Sequence, residues 1–188
     1  MTGRREDRAR VVVTLPMRPC KFESALSRIN DSGVLIETTE TFQHLSLLAA
    51  DRLVVASPFL DRHGFEWVLG LFEATKATTR ALICRHFEDV AGMPQELLRR
   101  LSVAGVLVYE YCLTREATGP NSLQYETFHA KIVLADQVAA YVGSANFLRS
   151  SQEISLECGV LIEGNAVQQV YDVVESMLMV AVPKQLLS

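Results

Sequence analysis

No apolar run in these 188 residues reaches the roughly 20 that a membrane-spanning helix requires. The opening MTGRREDRARVVV has neither the apolar core nor the small-residue cleavage site of a secretory signal. These absences set the expectation of a cytoplasmic chain with no stable membrane association. Cysteine is sparse: Cys20, Cys84, Cys112 and Cys158 are scattered, and no paired C-x-x-C occurs. A disulfide framework and a zinc-ribbon site are thereby excluded. Cys84, His86 and Glu88 lie close together, but without a second ligand pair they raise no expectation of a metal. Internal repeats and low-complexity linkers are missing. Histidine occurs only at His44, His63, His86 and His129. Charge of neither sign dominates, and a net −4 offers no global attraction to nucleic acid, though it leaves room for a local basic groove.

What is present fits one ordinary domain with a single large core. Residues 1–10 are polar and Arg-rich and read as an arm, solvated or in contact with a phosphate backbone. Two short apolar segments, VVVTLP and GVLIE, follow, broken by Pro16 and Pro19. Residues 1–36 are therefore set apart as an N-terminal arm and irregular segment, and 37–188 as the domain. From Thr39 the pattern sharpens. Helices are predicted over 39–50, 66–76 and 95–104, and strands over 52–56, 80–84 and 106–111, with Gly105 placed as a helix C-terminal cap. This alternation predicts βαβ units, and so an α/β fold with a mixed, largely parallel sheet flanked by helices on both faces. Thr114–Tyr125 reads as a polar loop, FLRSSQE as a short turn, 154–162 as a strand, and 165–182 as a closing helix stopped at Pro183.

The chemistry concentrates in TFHAKIVLADQVAAYVGSAN, residues 127–146. KIVLAD and VAAYVG read as buried strands joined by a turn near Asp136–Gln137. Side chains two apart on a strand share a face, so His129 and Lys131 point one way and Ala130, Ile132 and Leu134 the other. Ser144 and Asn146 also share a parity, just beyond Gly143. On the next strand Glu157 falls in phase with Ser155 and Gly159. A base or nucleophile, a fixed cation and neutral polar groups converging on one spot suit a phosphate.

The spacing H-x-K, four residues, D, six residues, G-S-x-N resembles the HKD signature of the phospholipase D superfamily, and SLECGVLIEG resembles the family's following carboxylate strand. The resemblance implies that His129 attacks phosphorus to give a phosphohistidine. Lys131 would hold the phosphate, with Asn146 and Ser144 donating hydrogen bonds, and Glu157 would bind the far nitrogen of a histidine. Asp136 is carried with these catalytic residues as part of the signature, as a hydrogen-bond acceptor rather than a proton carrier. No cofactor or metal is implied. None of His44, His63 or His86 is followed two residues on by lysine, whereas family catalysis uses two such motifs. The resemblance therefore implies a homodimer with two His129 side chains facing each other across a two-fold axis. Single-motif members of this size suggest a metal-independent nuclease acting on DNA or RNA. The alternatives are a phospholipase-type lipid phosphodiesterase and a non-catalytic nucleic-acid-binding subunit among the partner proteins of a bacterial defence complex.

Overall fold

The computed structural model describes residues 6–17, 19–29, 35–115 and 124–186. The chain begins β1 (Arg8–Thr14), α1 (Lys21–Ile29), β2 (Ile36–Glu37), α2 (Thr38–Leu48), β3 (Arg52–Ser57) and α3 (Arg62–Ala74). Next come β4 (Thr79–Cys84), α4 (Phe87–Ala91), α5 (Gln95–Val103), β5 (Val106–Glu110), β6 (Cys112–Arg115) and β7 (Gln124–Thr127). It closes with β8 (Lys131–Ala135), β9 (Ala139–Gly143), α6 (Arg149–Glu153), β10 (Glu157–Glu163), α7 (Val167–Val180) and β11 (Val182–Lys184).

Among the described residues nine strands form one sheet in the order β11-β5-β4-β3-β8-β9-β10-β1-β2. Parallel pairing is confined to β3-β4-β5 and to the β1–β2 edge. The first block is connected through α3 and through α4 and α5, because a parallel return needs a crossover of a helix's length. The half that carries the motif is antiparallel, β3-β8-β9-β10-β1, since a tight turn can join β8 to β9 directly. The sheet is thus mixed, with helices on both faces as the alternation predicts. One face packs Leu53, Val55, Leu82 and Tyr141 against Phe42 and Leu45 of α2, Phe65, Val68 and Phe72 of α3, and Leu97 and Leu101 of α5. The other packs Val54, Ala56, Ile83, Ile132 and Leu134 against Val167, Val174 and Met177 of α7. All five residues of β8 are buried, as befits a central strand covered on both sides. Among the described residues no helix is long and apolar enough to cross a membrane.

Three expectations need correction. Residues 8–14 are not an arm beside the domain, because β1 runs antiparallel along the full length of β10 and Val12 is fully buried. A β-branched run that covers a strand edge satisfies that edge and buries its own apolar side. The boundary at 36 accordingly divides nothing, and residues 1–5 of the expected arm lie outside the described residues. The ends of the expected 114–125 loop pair as the β6–β7 hairpin, and residues 116–123 lie outside the described residues. The closing helix stops at Val180, and Val182–Lys184 becomes an edge strand against β5. Pro183 cannot continue a helix but is tolerated on an edge. Gly105 adopts φ +66°, the left-handed cap conformation expected after α5.

Candidate active site

The C-terminal ends of β3, β4, β5 and β9 and the N-terminal ends of β8 and β10 lie along one edge of the sheet. His129 stands just before β8 and is exposed, whereas Lys131, the first residue of the strand, is buried. Lys131 Nζ donates to the His129 carbonyl at 2.8 Å and lies 2.9 Å from Nδ1 and 3.3 Å from Nε2 of the same residue. An ammonium only donates, so one cation holds the imidazole from its ring edge and its backbone at once. Burial pushes the Lys131 pKa below its ordinary value, and the nearby Glu157 carboxylate opposes that shift. The edge of the Phe59 ring meets the imidazole from the β3 side, with centroids 5.8 Å apart.

Two strands along, Ser144 Oγ donates to Glu157 Oε2 at 2.5 Å and accepts from the Cys158 N–H at 3.0 Å. The serine fixes the carboxylate, and its proton is committed to that carboxylate. Glu157 is buried and forms no hydrogen bond to His129 of its own chain. Asn146 Oδ1 is buried with no partner. Buried polar groups are seldom left so; an amide oxygen only accepts, so what this atom lacks is a donor. Beneath the site lies Tyr141. A Cβ on Gly143 would come within 2.3 Å of the Tyr141 hydroxyl, and one on Gly159 within 2.3 Å of its ring. The glycines of both strands thus make room for the ring, whose hydroxyl accepts from the Ala145 N–H at 3.4 Å. Burial pushes that phenol up to about 12, so it stays neutral and acts as a prop.

The structure therefore gathers His129, Lys131, Ser144, Asn146 and Glu157 at one edge. It removes Asp136. That residue sits at the other end of β8, and five residues of strand place it roughly 16 Å away. Its carboxylate accepts from the N–H groups of Ala50 at 2.9 Å, Asp51 at 3.1 Å and Arg52 at 2.6 Å. With φ at 52° it forms the β8–β9 turn and ties that turn to the start of β3. Its carboxylate is thus filled by backbone N–H groups, at the end of β8 away from His129.

Sequence reasoning missed Ser57. Fully buried at the end of β3, it donates to the Phe59 carbonyl at 2.9 Å and accepts from the Phe147 N–H at 3.3 Å. It thereby holds the post-β3 loop against the segment that carries Asn146. A serine at the carboxyl end of a predicted parallel strand was the available signal, since ligands gather at such ends. His86, Glu88 and Glu110 place ligand atoms within 4.8 Å of one another. Lys184 Nζ, however, donates to Glu110 at 2.6 Å and the Phe87 N–H to the same carboxylate at 2.8 Å, so a resident cation already serves that cluster. Burial raises the Cys84 thiol to about 12, which keeps it protonated and unsuited to metal.

Among solved structures, the chain is similar to the phospholipase D family member Nuc from Salmonella typhimurium (10% identity, TM-score 0.58, covering 96% of this chain and 99% of that one). It is similar also to NucT from Helicobacter pylori (14%, 0.57, covering 95% and 100%). A phosphatidylserine synthase from Haemophilus influenzae Rd KW20 matches as well (14%, 0.54, covering 95% of this chain and 40% of that one). Identities this low speak for the fold alone. No curated protein sequence matches. The family model for the cardiolipin synthase PLD-like domain matches residues 47–178, a span that encloses the whole motif and most of the chain. On that match, with the histidine, lysine, asparagine and glutamate assembled at one sheet edge, the chain belongs to the PLD-like domain family of the phospholipase D superfamily.

Proposed function

We propose that the chain is a metal-independent phosphodiesterase, a nuclease, whose working site is built from two copies. The observation that carries this reading is the pairing of an exposed imidazole with a buried ammonium at one end of the central strand. An imidazole nitrogen of His129 attacks phosphorus and the bond to the leaving oxygen breaks. The His129 of a second copy gives that oxygen its proton. The second imidazole, now neutral, takes a proton from water, which attacks phosphorus and breaks the P–N bond, returning both rings to their starting states. Lys131 neutralises the non-bridging oxygens throughout, and the Asn146 amide hydrogen-bonds to them. Glu157, held by Ser144, orients a histidine brought against it by the second copy.

One motif per chain supports the need for two copies, because a single imidazole cannot serve as nucleophile and acid in the same step. The test is to incubate the protein in EDTA with single- and double-stranded DNA and RNA, a lipid phosphodiester in vesicles, and bis(4-nitrophenyl) phosphate. Cleavage of nucleic acid that His129→Asn abolishes is expected. Cleavage that survives His129→Asn, or that is confined to the lipid, would overturn the reading.

A further inference from the structure

Arg85 follows β4 directly and lies on the same sheet edge as His129, two strands away. Its guanidinium stands over the Phe59 ring at 5.8 Å from the centroid, and the same ring meets the His129 imidazole edge-on. Arg85 is half-buried, its Nε is buried without a hydrogen-bond partner, and among the described residues no carboxylate pairs with it. Arg52 shares the unpartnered Nε, but its Nη1 pairs with Glu175; Arg100 pairs with Glu73, Arg149 with Glu153, and Arg80 donates to the Phe72 and Thr75 carbonyls. A guanidinium N–H buried without an acceptor raises the free energy of the folded state. A ring face offsets only part of that. Such an arrangement suits an anion that arrives from outside.

The separation indicates which anion. Adjacent strands lie about 4.8 Å apart, so a residue two strands over sits roughly 10 Å along the edge. The two contacts with Phe59 keep the guanidinium within about 12 Å of the imidazole. Arg85 therefore stands to one side of His129 along the edge, within reach of the phosphate next to the one that His129 attacks. We propose that Arg85, propped on Phe59, binds the phosphate adjacent to the scissile one. The site would thereby select a polynucleotide strand, with a charge at every residue, over an isolated phosphodiester. This rests on the proposed function only in taking His129 to mark the scissile phosphate.

The experiment compares the wild-type protein with Arg85→Gln and Arg85→Lys. In a His129→Asn background, binding of a fluorescent single-stranded oligonucleotide is followed by anisotropy across a salt series in EDTA. Arg85→Gln should weaken binding about tenfold and make the slope of log K against log salt shallower by about 0.7, the loss of one phosphate contact on a single strand. Arg85→Lys should keep the slope. With His129 intact, Arg85→Gln should raise KM for the oligonucleotide about tenfold and leave turnover of bis(4-nitrophenyl) phosphate unchanged. Since the charge is unpaired in the free protein, the melting temperature of Arg85→Gln should equal or exceed that of wild type. An unchanged salt slope, an equal loss on both substrates, or a melting temperature lowered by Gln and restored by Lys with binding unaltered would overturn the proposal. Should neither substrate be cleaved, the phosphodiesterase reading falls, and the salt slope still decides the role of Arg85.

Discussion

At the C-terminal end of β8, the Asp136 carboxylate receives N–H groups from Ala50, Asp51 and Arg52 and locks a turn to the start of β3. At the N-terminal end of the same strand, Lys131 is buried against an imidazole, Asn146 Oδ1 has no partner, and His129 faces outward. Both ends belong to one signature, and both place charge at the margin of the core. One end is complete within the chain. The other holds polar groups whose partners are still to come, an arrangement that costs stability and is kept where a ligand or second subunit will supply what is missing. Saturation of hydrogen-bonding capacity, rather than membership of a motif, separates Asp136, whose carboxylate is filled by backbone N–H groups, from Asn146, whose Oδ1 is not.

Mutations at the two ends should break in opposite ways. His129→Ala should lower turnover of a cleavable phosphodiester by about 10⁴-fold with an unaltered melting temperature, since the side chain is exposed. A fall in stability without loss of activity would erase the contrast. Lys131→Met should lower kcat/KM by roughly 10²–10³-fold and raise the melting temperature at neutral pH. The folded-state pKa of Lys131 lies below its ordinary 10.5, so the cost of burying the charge is present in full at pH values below that lowered pKa. As pH climbs from that lowered value towards 10.5, the unfolded chain holds the extra proton and wild-type stability rises. Melting curves across the alkaline range should therefore show the advantage of Lys131→Met shrinking with pH.

Asp136→Ala should do the reverse of His129→Ala, lowering the unfolding free energy by about 3 kcal/mol in chemical denaturation while kcat of the folded protein stays within a factor of about two. Ser144→Ala sharpens the comparison, because Ser144 is a saturated residue placed inside the unsaturated end. Removing its bond to the Glu157 carboxylate, worth about 1.5 kcal/mol for a charged partner, should lower kcat about tenfold. A loss equal to that of His129→Ala would mean that the hydroxyl itself touches the substrate.

Much of this was legible beforehand, and physics explains where it stopped. The β8–β9–β10 core could be read because period-2 parity sorts Ala130, Ile132 and Leu134 from His129 and Lys131, and the two core faces follow that parity. The helices α2, α3 and α5 carry their apolar residues at helical spacing, so their existence showed while their ends drifted. β1 did not show, because its stability comes from pairing with β10 about 150 residues away and two prolines blur the segment that follows. β11 hid inside a continuous apolar stretch that reads as helix until Pro183 forces an extended edge. Asp136 could be named from spacing, but which end of a strand faces the substrate is set by the sheet, not by the motif. Ser57 shows in the sequence only as a serine at the carboxyl end of a predicted strand, and Arg85 carries no local pattern. Each becomes visible only once parallel strands bring their carboxyl ends to one edge.

The central claim is that the unsaturated end needs a second copy of itself. Wild-type protein mixed with His129→Ala in varying proportion, with subunits exchanged before assay, tests it directly. The account predicts that activity follows the square of the wild-type fraction, because a productive site requires two imidazoles from two chains. Activity proportional to the wild-type fraction itself would contradict it.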